Sequence, residues 1–67
     1  MDKLVVNVPS YLIGSKVFVL DVSGKQVLSY IQSNKKQIID CFQLPSGKYT
    51  LTFEIEDLKE FGYFIKE

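Results

Sequence analysis

Sixty-seven residues with eight basic and eight acidic side chains make a neutral chain of one domain at most. That balance argues against nucleic acid or an acidic membrane surface as the main partner, and the short apolar runs argue against a bilayer-spanning segment. At 46% hydrophobic and 13% aromatic the chain is too apolar for a disordered tail, yet its size limits stability to about 3–10 kcal/mol.

From the N-terminus, residues 3–8 put Leu4, Val6 and Val8 on one face of a strand, and Pro9 ends it. Residues 10–14 are a connection in which Tyr11, Leu12 or Ile13 can pack inward. Residues 16–21 are rich in β-branched and aromatic side chains and read as a second strand. Asp21-Val22-Ser23-Gly24-Lys25 is a hairpin loop. Asp21 can bond its own turn, and Gly24 takes the left-handed position that closes a type I turn with a bulge, so φ > 0 is predicted there. Residues 25–32 return as a third strand, 33–36 are a polar turn, 37–40 a short strand and 41–45 a bend.

The clearest signal is Leu44-Pro45-Ser46-Gly47 and the strand that follows it. Pro45 and Gly47 suit the second and fourth positions of a turn. Tyr49, Leu51, Phe53 and Ile55 then alternate with Thr50, Thr52, Glu54 and Glu56, the period of a strand with one buried face. A turn over 57–60 and a last strand over 61–66 complete the chain.

Six short strands at this spacing, with turn chemistry between them, predict an all-β fold, a small antiparallel β-sandwich. The predicted core is Val17, Val19, Val27, Ile31, Leu51, Phe53 and Ile55, faced by Leu4, Val6, Tyr49 and Ile65. Phe18, Leu20, Leu28 and Tyr30 have the opposite parity and are assigned to a second face or an interface. The last strand is short and apolar, a candidate edge for pairing with a partner strand or for an edge-strand dimer.

Residues for chemistry are sparse. The chain has no histidine, which removes the Ser-His and Cys-His pairs. Cys41 is the sole cysteine and sits among apolar residues, as a structural cysteine does. Asp21 and Asp40 read as turn and strand-end residues rather than an acid–base pair. The carboxylates lack the spacing of a calcium loop. The four tyrosines fall on separate segments, which suits core packing better than a stacking platform. Lys35-Lys36 is a solvated turn, and the glycines are too widely spaced for a phosphate loop. No catalytic, cofactor or metal residues are assigned, and an enzyme is not expected.

The order of these signals resembles a known family. Asp2-Lys3-Leu4 matches an aspartate-x-leucine first strand. Leu20-Asp21-Val22-Ser23-Gly24-Lys25-Gln26-Val27 matches a tyrosine/leucine-aspartate-x-x-glycine-lysine-x-valine hairpin. Leu44-Pro45-Ser46-Gly47-Lys48-Tyr49 matches a leucine-x-x-glycine-x-tyrosine turn, and Phe64-Ile65-Lys66-Glu67 a terminal strand with lysine. Together they are similar to the C-terminal sorting domain of the type IX (Por) secretion system of Bacteroidetes-type bacteria, over essentially the whole chain. Three features depart from that pattern. The asparagine-proline pair before the first strand is absent, Lys48 stands where valine is common, and residues 56–61 are acidic and longer than the usual tight turn.

The resemblance implies a small Ig-like antiparallel β-sandwich of about six or seven strands, a non-enzymatic address at the C-terminus of a larger secreted protein. Its partners would be the outer-membrane translocon, a sortase that usually removes the domain, and a parent cargo domain upstream. The cargo would pass through the periplasm and end secreted or on the cell surface. Met1 leads directly into a strand-like run, so the expectation is a piece excised from a longer exported chain, with a cytosolic protein as the other reading. The residues expected to carry the signal are Asp21, Gly24, Lys25, Leu44, Gly47, Tyr49, Phe64, Ile65 and Lys66. Recognition is expected to use exposed loops and the last strand, with Lys66 replaceable at little cost to folding. Phe61-Gly62-Tyr63-Phe64-Ile65 also resembles small secreted sandwich domains of gut Bacteroidetes, which implies an adhesion or carbohydrate-contacting module as the alternative.

Overall fold

The strict alternation from Tyr49 makes residues 48–56 the predicted long strand, and its observed counterpart sits inside the larger sheet. The computed structural model describes residues 2–67. Its strands are β1 (Lys3–Asn7), β2 (Lys16–Leu20), β3 (Gln26–Ile31), β4 (Lys36–Asp40), β5 (Gly47–Ile55) and β6 (Leu58–Lys66), with a single 3-10 turn at Ser10–Leu12. β1 and β4 form one antiparallel sheet, and the other sheet runs in the order β3-β2-β5-β6. The small Ig-like antiparallel sandwich predicted from the sequence is the fold observed.

The alternation of β5 sends Tyr49, Leu51 and Phe53 into the core beside Val17 and Val19 of β2. Val6, Val8 and Ile39 close it from the second sheet, and Leu12 is the residue of the 10–14 connection that turns inward. Thr52 is on the outer face, yet it is buried too. The pairing sets it between Phe18 and Phe61 on that face. Gly24 has φ +87°, as its turn requires.

Two parts of the predicted core are corrected. On β3 the register passes from Val19↔Leu28 to Leu20↔Gln26 and leaves Val27 as a bulge that is half-buried and still packs against the core. Leu28 and Tyr30 therefore stand opposite Val19 and Val17 on the core face. Ile31 stands opposite Lys16 and is exposed. On β6 the pairs Tyr49↔Phe64 and Gly47↔Lys66 turn Phe64 and Lys66 inward, so Ile65 faces solvent at 58% exposure. Both strands carry apolar residues on both parities, so alternation alone did not choose between them.

The turn expected over 57–60 is also corrected. Ile55↔Leu58 closes a loop of only Glu56 and Asp57, and β6 begins at Leu58. Glu56 adopts φ +52°, a left-handed conformation that strains a residue with a Cβ. Glu56→Gly should therefore stabilise the chain by about 0.5–1 kcal/mol, the relieved strain outweighing the added freedom of the unfolded glycine. Urea denaturation measures this directly. An unchanged or lower midpoint would count against the strain.

Gln32 is fully buried just past β3. Its Nε2 donates to the carbonyl oxygens of Val6 and Asn34, both at 3.1 Å, and its Oε1 accepts from the Tyr30 hydroxyl at 2.7 Å. This ties the two sheets with a satisfied polar group. Burial pushes the Tyr30 phenol up to about 12. Because the folded value lies above the ordinary value near 10, folding favours the neutral phenol. That contribution is complete below about pH 10 and is lost as pH rises through about 12. Unfolding midpoints should fall across this window, and Tyr30→Phe should flatten the fall. An equal fall in the variant would assign it to another group.

Candidate recognition surface

Three separate motifs hold the sequence-predicted site residues, and the topology brings all three to one end of the sandwich. At that end β2, β4 and β6 finish and β1, β3 and β5 begin. The pairs Leu20↔Thr50 and Gly47↔Lys66 place the β2–β3 hairpin, the start of β5 and the chain end side by side. The Cys41 amide donates to the Asp2 carbonyl at 2.8 Å and brings in the ends of β1 and β4.

In the hairpin, Asp21 Oδ1 accepts from the Ser23 amide at 2.9 Å, the Ser23 hydroxyl at 2.7 Å and the Lys25 amide at 3.0 Å. The Ser23 hydroxyl, then the Lys25 amide, hold the Asp21 carboxyl below the usual carboxylate range. The carboxylate thus shapes its own loop and leaves the Lys25 side chain exposed. Val22, at the loop tip, is also exposed.

The 44–49 turn and the last strand form one packed unit. The Tyr49 hydroxyl donates to the Pro45 carbonyl, and the Tyr49 ring stacks on Phe64 with centroids 5.2 Å apart and planes 19° apart. Leu44 is half-buried beside them. Gly47 has φ +153°, and no atom lies near where a Cβ would stand, so its constraint is conformational.

Lys66 overturns the expectation of a free side chain. It is 8% exposed, and its Nζ donates to the carbonyl oxygens of Cys41 at 2.7 Å, Phe42 at 3.1 Å and Leu44 at 2.6 Å. The ammonium clamps the β4–β5 loop to the end of β6. A buried charge is stable only when hydrogen-bonded in this way. Replacing Lys66 therefore carries a folding cost that the sequence did not reveal.

Tyr49, Phe64 and Lys66 are thus interior, whereas Lys25 and Ile65 are exposed. Two exposed apolar residues of this end were missed, Val22 and Phe42. Phe42 stands out at 66% exposure because its amide donates to Asp40 Oδ1 at 2.9 Å, a local turn that carries the ring away from buried Cys41. The Asp40-Cys41-Phe42 spacing was the available signal for that turn. Lys48 lies on the outer face, its Nζ 5.0 Å from the centroid of the Tyr63 ring. That aromatic contact suits a lysine at the position.

No helix of the described residues is long and apolar enough to cross a membrane. A family model described as a secretion system C-terminal sorting domain matches residues 1–67. No curated protein and no solved structure matches the chain.

Proposed function

The chain belongs to the family of type IX secretion C-terminal sorting domains, and from that membership we propose that it is a non-enzymatic address read by the outer-membrane translocon at the turn-rich end of the sandwich. The observation that carries this reading is the convergence of three motifs, distant in sequence, on that one end. The roles divide by burial. Asp21, Gly24 and Gly47 set the backbone of the turns. Leu44, Tyr49, Phe64 and Lys66 hold the end together from inside. Lys25 and Ile65 meet the receptor, together with Val22 and Phe42. A cargo domain precedes the chain, crosses the periplasm ahead of it and finishes secreted or on the cell surface, and a sortase removes the address.

The test fuses the chain to a periplasmic reporter in a bacterium with a type IX system. The intact fusion should be exported. Lys25→Glu with Ile65→Ser should hold the reporter in the periplasm while stability changes by only about 0.5 kcal/mol, because both side chains are exposed. Removing residues 64–67 is a poorer test, since it also deletes Phe64 and Lys66 from the interior. An intact fusion that stays periplasmic while its terminal domain is folded would defeat the proposal and leave the adhesion-module reading.

A further inference from the structure

β6 lies at the edge of the four-stranded sheet. Ile55 and Leu58 flank a two-residue loop and are therefore a hydrogen-bonded pair. Alternation along the ladder then directs the amides and carbonyls of Leu58, Glu60, Gly62, Phe64 and Lys66 to β5. Those of Lys59, Phe61, Tyr63 and Ile65 point to the free edge. No strand pairs with the outer side of β6, and β1, in the other sheet, is separated from it by an open groove of about 340 Å³. The side chains of Phe61, Tyr63 and Ile65 are exposed at 67%, 67% and 58%. Natural edges are usually blunted by charge, proline or a bulge, and the 61–65 stretch carries none of these.

We infer that this edge takes a second copy of the same chain, the two β6 strands pairing antiparallel about a two-fold axis at Tyr63. Charge selects both occupant and register. With Tyr63 opposite the partner's Tyr63, Phe61 stands opposite the partner's Ile65, and Lys59 opposite the partner's Glu67. The apolar stripe then meets itself, and each end closes on opposite charges. A slip of one pair in one direction sets Lys59 against an isoleucine, and in the other sets Phe61 against a glutamate. The edge-directed groups of residues 61, 63 and 65 supply about six backbone hydrogen bonds. Because the axis is perpendicular to the sheet, the outer faces of both copies lie on the same side, and the four-stranded sheets join into one. Each copy keeps its β5–β6 hairpin, so no strand is exchanged. The small contact makes the dimer a weak one.

Sedimentation equilibrium of the 67-residue chain, from about 10 μM to about 1 mM at low salt, should show growth toward twice the 7.7 kDa chain mass. Ile65→Pro removes an amide that points to the free edge and none of the β5–β6 bonds, so it should stay folded and become monomeric. Lys59→Glu or Glu67→Lys alone should weaken association about tenfold, and the double reversal should restore it. Lys59 also pairs with Glu54 of its own chain at 3.6 Å, so restoration by the double reversal is the part that reports on the partner. A chain that is monomeric at 1 mM overturns the inference. So does a dimer that persists in a folded Ile65→Pro variant.

Discussion

Lys66→Met should destabilise the chain by about 2–4 kcal/mol and release the β4–β5 loop. Methionine keeps most of the apolar stem and removes only the ammonium. Three backbone carbonyls, those of Cys41, Phe42 and Leu44, then lose a charged donor that reaches them at 2.6–3.1 Å. A hydrogen bond to a charged group contributes about 1.5–3 kcal/mol. The net loss is smaller than the sum, because burying an ammonium is itself costly. Lys66→Arg should recover part of the loss at most, since a planar fork does not match three converging acceptors as a compact ammonium does. Urea denaturation measures the cost, and amide exchange over residues 42–46 reports the release of the loop. A Met variant with unchanged midpoint and unchanged exchange would show that the clamp contributes nothing.

Phe64→Ala should cost about 3–5 kcal/mol, and Ile65→Ala next to it about 0.5 kcal/mol or less. Phe64 is 9% exposed and stacked on Tyr49, which adds about 0.5–1.5 kcal/mol beyond simple burial. In a domain whose whole stability is about 3–10 kcal/mol, losing Phe64 unfolds a large fraction of the molecules. Ile65 belongs to the outer face and loses little. The contrast between adjacent residues tests the β5–β6 register, because a slip of one residue would exchange their effects. Comparable losses at both positions would refute that register. The pair also separates two ways of disabling the address. Phe64→Ala should prevent export by unfolding the domain, whereas changing Ile65 leaves the fold and removes only a surface contact.

Some of the fold was legible because its signals are local. The alternation from Tyr49 to Ile55 identified β5 and its inward face without help from any other strand. Gly24 and Asp21 announced their turn because the partners, Ser23 and Lys25, lie within four residues. The sequence resemblance rests on short motifs of the same local kind, and the family match spans residues 1–67.

The rest required partners that are distant in sequence. On β3 and β6 both parities are apolar, so the inward set was decided by pairing to β2 and β5 and by the bulge at Val27. Gln32 looked like an ordinary polar strand end, and only the approach of the Val6 carbonyl, 26 positions away, made its burial favourable. Lys66 looked like a solvated tail residue. Its acceptors lie 22 to 25 positions earlier, in a loop that meets β6 only once both sheets have closed. Spacing within a few residues was enough to read the order of the strands, the hairpin at Asp21–Lys25 and the family. Which motif residues are interior and which are surface follows from the packing of strands on one another, and no local spacing encodes it.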